Sequence, residues 1–279
     1  MDTRRLKDKI FTITVIALSI VAIAPVFHII IYVSYRGLPV IVESGLEFFT
    51  SIPNAVTDPK PGGIAQAIIG TLYLTATASI IAVPIATLAA VFSSEFPRSR
   101  LTHVVRAASR SLLEVATIIV GMLVFALLVL PTGRFTAVAG SVALAIVMIP
   151  YVYTYVELAM LSVPRTYVDA AYSLGMSRAL VIYHKLRIMR RGVVRGLMIG
   201  VTKAMGETAP LLFTAFGARN VLFGGPLEPI DALPLMIFQF IQTGYDNWIK
   251  LAWGGAFILL ISYLTLFIVT RVLVKEVKY

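Results

Sequence analysis

Residues 64–92 read IAQAIIGTLYLTATASIIAVPIATLAAVF, twenty-nine positions without a charged side chain. The run exceeds the ~20 apolar residues that a helix needs to cross a hydrocarbon core of roughly 30 Å. A helix is required because backbone N–H and C=O groups in lipid must be satisfied within the segment itself. A transmembrane β-barrel would instead show short segments of alternating polarity. Further runs of the same kind lie at 10–35, 112–130, 135–155, 193–216 and 251–273. Together they predict an all-α membrane protein with six transmembrane helices, multi-pass in the cell (plasma or inner) membrane.

Composition agrees. Of 279 residues, 58% are apolar and 14% charged, against about 45–50% and about 25% in soluble domains, and the mean hydropathy is +0.89. A soluble enzyme is excluded. The chain has no cysteine, which removes disulfides, zinc–thiolate sites, iron–sulfur clusters and cysteine nucleophiles. The first run follows Arg4, Arg5, Lys7 and Lys9 and contains Ala22-Ile23-Ala24, the outline of a cleaved secretory signal. It continues through Val33, however, past the ~7–15 residues of a signal core, and Pro25 opposes cleavage. A retained first span is expected.

Loop charges give the orientation. The N-terminus, residues 94–111, residues 158–195 and the C-terminus carry 4, 4, 7 and 3 Lys/Arg, whereas the alternate loops hold only Arg36, Lys60, Arg134, Arg219 and Lys250. The positive-inside rule therefore places both termini in the cytoplasm. The net charge of +10 is read as topology, with the basic rims facing anionic lipid headgroups, and no nucleic-acid role is expected. Two apolar segments, 46–52 and 233–241, are too short to span and are bounded by Pro53 or by Pro229 and Pro234. With the Gly224-Gly225-Pro226 turn, they predict interfacial or re-entrant caps on the outer face.

The cytoplasmic loop 158–195 predicts a helix, an elbow and a second helix. Pro164 suits a helix start, and Thr166 with Asp169 has the spacing of a capping box. The first helix would carry Asp169-Ala170-Ala171 and stop at a left-handed Gly175. Ser177 would cap a second helix over 178–191, ending at Gly192. Such a loop is either a linker on the membrane surface or an element that docks into a partner's groove.

Lys203 and Glu207 lie about 15 and 21 Å into the fifth run at 1.5 Å per residue. An ionisable pair at that depth points by default to function, facing protein or water. Its i,i+4 spacing also permits a mutual ion pair that merely neutralises both. Thr208 and Thr214 offer hydroxyls on the same helix, and Pro210 is expected to kink it as a hinge. Glu114 and Glu157, at the cytoplasmic ends of spans three and four, are expected to snorkel or to pair with Arg110 or Arg165. The scattered His28, His103 and His184 predict no metal site. No Lys follows a Gly anywhere in the chain, so the phosphate-cradling loop of an ATPase is missing. No cofactor or catalytic site is expected in this chain, and if it serves uphill transport the energy must come from another polypeptide.

Asp169-Ala170-Ala171-x-x-x-Gly175 resembles the EAA loop that couples ATP-binding-cassette importer permeases to their ATPases. Asp169 replaces the usual Glu, and the family's Ile-x-Leu-Pro ending falls on Lys185, Leu186, Arg187 and Ile188. Residues 206–215, GETAPLLFTA, resemble the phosphate-importer permeases of the PstA type. So do Gly62-Gly63-Ile64-Ala65 with Gly70-Thr71-Leu72, Leu233-Pro234 with Ile237-Phe238, and Trp248 with Leu251-Ala252-Trp253. The likeness runs from about residue 60 onward.

It implies a MetI-like permease core over 61–279 behind an N-terminal span and extracytoplasmic loop over 1–60. It further implies the permease subunit of an ATP-driven phosphate importer, not itself an enzyme, with Asp169, Ala170, Ala171 and Gly175 facing the ATPase. The implied partners are a second homologous permease, two copies of a cytoplasmic ATPase that binds ATP-Mg, and an extracytoplasmic phosphate-binding protein. Lys203, Glu207, Thr208 and Thr214 would line the path, Lys203 standing where the family usually has Arg. Other readings are a permease for phosphonate, sulfate or molybdate, or a self-sufficient channel or secondary transporter. The last predicts internal repeats with broken helices in both halves. A membrane enzyme would need a paired catalytic constellation, which the chain lacks.

Overall fold

A computed structural model of the protein describes residues 3–273, and side chains from 7 to 272. The chain forms α1 (Thr3–Ser44), the single turn α2 (Glu47–Thr50), α3 (Ala65–Glu95) and α4 (Arg100–Glu114). Next come α5 (Thr117–Val124), a π-helical turn (Phe125–Val129), α6 (Leu130–Thr132) and α7 (Ala137–Leu161). Helices α8 (Arg165–Ser173) and α9 (Arg178–Ile188) lead to α10 (Arg190–Met205), α11 (Ala209–Thr214), α12 (Leu233–Ile241) and α13 (Asp246–Leu273). Among the described residues, four helices, α1, α3, α7 and α13, are long and apolar enough to cross a membrane, or five if the bent pair α4–α5 is one span. Arg4, Arg5, Lys275 and Lys278, invoked for the cytoplasmic termini, lie outside the described side chains.

At the centre α3 lies along α7. Ala78, Ala82, Ala86 and Ala90 repeat every fourth residue on α3, all fully buried, against Leu144, Ala145, Met148, Val152 and Val156 of α7. Helix α10 also packs on α7, through Gly192, Gly196 and Gly200. A Cβ at these glycines would stand 2.8, 2.9 and 2.4 Å from Ala159, Tyr155 and Val152. Small residues at this spacing let helix backbones approach closely in a membrane. A second cluster joins Val40 of α1, Phe48 of α2, Met236 and Phe240 of α12 and Leu251 of α13. The lipid-facing part of α1 contributes nothing to the core: the apolar window within Lys7–Ser44 is 0% buried.

Two of the six runs are not continuous helices. The run 112–130 begins in α4, which meets α5 at 105°. Val115 and Ala116 are extended, because α4 carries Arg100, His103, Arg106 and Arg110 while the following residues carry no charge. The membrane segment therefore starts at Thr117. The run 193–216 is broken at residues 206–208. Pro210, expected to kink one continuous helix, is instead the second residue of a new one, α11, where its missing N–H leaves no helix bond unmade. The break lies upstream, with the N–H groups of Gly206 and Glu207 accepted by Lys203 and Ala204 three residues back.

Helix α9 stops at Ile188, not 191, and Gly192 falls inside α10. The expected capping box is absent. Pro164 itself occupies the N-cap, with no side-chain cap bond, so Thr166 is already inside the helix. Glu157 pairs with Arg106 of α4 at 2.8 Å, not with Arg110 or Arg165, because α4 packs across the end of α7. Of the outer segments, 233–241 enters the body as α12, burying Leu233, Pro234, Leu235, Met236 and Phe240, whereas 46–52 supplies only the turn that seats Phe48.

Candidate functional site

The break between α10 and α11 holds Lys203 and Glu207. Lys203 Nζ lies 2.5 Å from Glu207 Oε1; the Glu207 side chain is 7% exposed and that of Lys203 37%. The ion pair is formed, and its cation also faces an open cleft of about 470 Å³ with Tyr151, Thr202, Tyr263 and Phe267 on its walls. Nζ sits 5.8 Å from the centre of the Tyr151 ring. An ammonium carries three donors, and Glu207 accounts for one. Gly206 makes room for Tyr263 of α13: a Cβ there would fall 1.7 Å from the Tyr263 hydroxyl oxygen. Thr208 precedes α11 without capping it. The buried Thr214 hydroxyl donates to its own helix at Pro210 O, 2.8 Å. The structure thus brings Lys203 and Glu207 together on the cleft and leaves Thr208 and Thr214 off its walls.

The elbow between α8 and α9 turns at Gly175, whose φ is +78°. Its N–H donates to Tyr172 O at 2.9 Å and that of Met176 to Ala171 O at 3.2 Å, the paired bonds of a Schellman stop. Ser177 accepts from the Leu180 N–H at 3.4 Å and opens α9. Val163, Val168, Ala171, Val181 and Ile188 line the angle between the two helices. Asp169 and Ala170 are exposed, as are Tyr167 and Leu174. Lys185, where the family's ending would begin, forms an ion pair with Glu95 of α3.

A third cluster, where the start of α3 meets the start of α12, escaped the sequence reading. Asp231 is 2% exposed and Gln66 1%. The Asp231 carboxylate accepts from the Ala232 N–H at 2.9 Å and from Gln66 Nε2 at 3.4 Å. Burial pushes its carboxyl up to about 7 from an ordinary 3.8, against the Ala232 and Gln66 hydrogen bonds and the Arg219 charge. Arg219 donates to Gln239 Oε1 at 3.0 Å and stands 5.1 Å from the Trp248 ring. With Asn54, Phe216 and Asn220 it lines a recess of about 640 Å³.

The cluster explains motifs that are scattered in the chain. The Leu233 N–H donates to Thr71 Oγ1 at 2.7 Å, and a Cβ on Gly70 would collide with Asp231 O at 1.8 Å. Trp248 Nε1 donates to Asn54 O at 3.2 Å. The signal was present in Gly70-Thr71 and Leu233-Pro234, but not the fact that they meet.

No family model matches the chain. A Methanocaldococcus jannaschii protein described as a "probable phosphate transport system permease protein PstA" is 43% identical over 274 residues, 98% of this chain and 95% of the relative. The chain belongs to the PstA family. A Haemophilus influenzae PstA phosphate transport system permease protein is 33% identical over 87% of the chain and 85% of its own length. Among solved structures, a chain of the inward-facing MetNI methionine ABC transporter superposes with a TM-score of 0.63 at 17% identity, covering 76% of this chain and 95% of its own. An amino acid ABC transporter chain gives 0.57 at 17% identity over 76% and 92%. The fold is that of a MetI-like ABC permease, and this PstA-family chain is an integral, multi-pass membrane protein.

Proposed function

We propose that this PstA-family chain is the transmembrane permease subunit of an ATP-driven phosphate importer. The observation that carries the reading is the Lys203–Glu207 pair at a helix break inside the membrane, with the ammonium on an open cleft. Lys203 offers its remaining donors to an oxyanion, while Glu207 holds the site near neutrality, so that the anion binds weakly enough to leave. The open side of the cleft suits closure by a second, homologous permease. All six apolar runs then cross the membrane, the fifth as the broken α10–α11, with both termini in the cytoplasm. The core over 61–279 carries the path, and residues 1–60 add a lipid-facing span.

The elbow supplies the attachment for two copies of an ATPase, which bind ATP-Mg in place of this chain. Asp169, Ala170, Ala171 and the stop at Gly175 present the docking helix. An extracytoplasmic phosphate-binding protein delivers the anion to the outer face, where Arg219 stands in its recess. Transport then alternates between outward- and inward-facing states biased by ATP on one side and the loaded binding protein on the other. The test is uptake of labelled phosphate into proteoliposomes holding this chain with its co-purified partners. Uptake that needs ATP and is not displaced by excess sulfate, molybdate or phosphonate is expected. Preferential displacement by one of these would transfer the reading to that oxyanion, and uptake by this chain alone would replace it with a channel or carrier.

A further inference from the structure

The elbow is fastened to the membrane core at one residue that no part of the proposed mechanism uses. Glu95 is the last residue of α3, and its side chain is 9% exposed. Its carboxylate forms an ion pair with Lys185 and lies 3.9 Å from Arg178 Nε. Its backbone carbonyl accepts from Arg178 Nη2 at 2.9 Å. The Arg178 guanidinium lies 3.9 Å above the Phe96 ring, which stacks on Phe92 at 5.0 Å. Arg178 opens α9 and Lys185 follows two turns later on the same face. One carboxylate at the negative end of α3 therefore grips α9 at two points along its length, which constrains its rotation as well as its position.

Elsewhere the elbow makes apolar contacts without charge: Val181 is buried and Leu186 packs against the central cluster. Helix α8 packs mainly on α9, and α9 joins α10 through the turn at Met189. Helix α3, by contrast, is a lever. It runs about 46 Å at 1.5 Å per residue along the alanine seam against α7. Its outer end carries Gln66, Gly70 and Thr71, which hold Asp231 and the start of α12.

We propose that Glu95 is the positioning residue that converts movement of the α8–α9 elbow into movement of α3, and through α3 into rearrangement of the Asp231 cluster at the outer face. This rests on the reading of the elbow as the ATPase-facing element. Glu95 touches neither phosphate nor ATP; it sets how much transport each hydrolysis event yields.

The test measures phosphate uptake and ATP hydrolysis together in proteoliposomes of the assembled complex. Glu95→Gln leaves assembly and hydrolysis within about twofold and lowers uptake per ATP roughly tenfold, as expected for loss of a charge-assisted contact. Lys185→Ala, which leaves Glu95 its Arg178 partner, lowers the same ratio by less and serves if Glu95→Gln fails to assemble. The exchange Glu95→Lys with Lys185→Glu recovers part of what Glu95→Lys alone loses. Native uptake per ATP in Glu95→Gln and Lys185→Ala would overturn the proposal, as would a proportionate fall of uptake and hydrolysis, which marks a purely structural contact. A native complex lacking ATP-driven uptake altogether would overturn the importer reading beneath it, a result distinguishable by its appearance before any substitution.

Discussion

The unequal burial of the two partners in the intramembrane pair predicts unequal penalties for removing them. Lys203→Met leaves the Glu207 carboxylate, 7% exposed, as a buried charge without its partner, a situation that costs about 3–5 kcal/mol. Glu207→Gln leaves an ammonium that is 37% exposed on an open cleft, where water replaces the lost contact, and costs about 1 kcal/mol. At about 2–4 °C per kcal/mol for a chain of this size, Lys203→Met lowers the melting midpoint of the purified complex by on the order of 10 °C. Glu207→Gln lowers it by only about 3 °C. The double substitution recovers about 2 kcal/mol relative to Lys203→Met, because no lone buried charge remains. The assay is thermal unfolding in mild detergent, with phosphate uptake measured on the same preparations. Glu207→Gln is expected to assemble normally and transport poorly. Equal destabilisation by the two substitutions, or a larger effect of Glu207→Gln, would refute the reasoning. Poor assembly of Glu207→Gln would mark the pair as a structural lock.

Three further outcomes follow from the geometry. The folded-state carboxyl of Asp231 is raised from 3.8 to about 7. The folded chain therefore holds a proton that the unfolded chain releases, and stability falls as pH climbs from about 4 through about 7, by up to about 4 kcal/mol in total. Asp231→Asn should flatten the melting profile between pH 5 and 8.5, and a wild-type midpoint that rises with pH would contradict the assignment. Gly175→Val places a β-branched residue at φ +78° with nothing within 4 Å, so its cost of about 1–2 kcal/mol is backbone strain alone. Membrane insertion should be intact and uptake abolished; native uptake would remove Gly175 from the coupling role. Gly206→Ala drives a methyl to 1.7 Å from the Tyr263 hydroxyl, and its transport defect should be partly relieved by Tyr263→Phe. Absence of relief would show that the break tolerates no Cβ for a reason other than that contact.

What could be read from the sequence was the part that hydropathy and turn chemistry encode. The apolar runs, the left-handed stop at Gly175 and the Ser177 cap need only local chemistry. The bend before Thr117 was hidden because Leu112 and Leu113, in the last turn of a surface helix, extend the apolar count of the next one. The break at residues 206–208 was hidden because Gly-Glu-Thr sits inside an otherwise apolar run whose length suggests continuity. Pro164 displaced the capping box by taking the N-cap itself. The clusters at Asp231 and Glu95 depend on pairs 165 and 90 residues apart, for which one sequence contains no distance information. The triple-glycine face of α10 carried a readable period of four, yet glycine registers as indifferent on a hydropathy scale and passed unnoticed.

That glycine face has a mechanical consequence. Ordinary helix contacts interlock, ridges seated in grooves, and axial displacement requires the side chains to climb over one another. Gly192, Gly196 and Gly200 present no such teeth to α7, so along this strip the contact is a smooth bearing, flanked by Val193, Leu197 and Val201, which pack into the core. The helix that carries Lys203 is thereby held close to α7 by the flanking side chains while the strip itself offers no ridge against axial movement. A leucine at any of the three positions would turn the bearing into a ratchet.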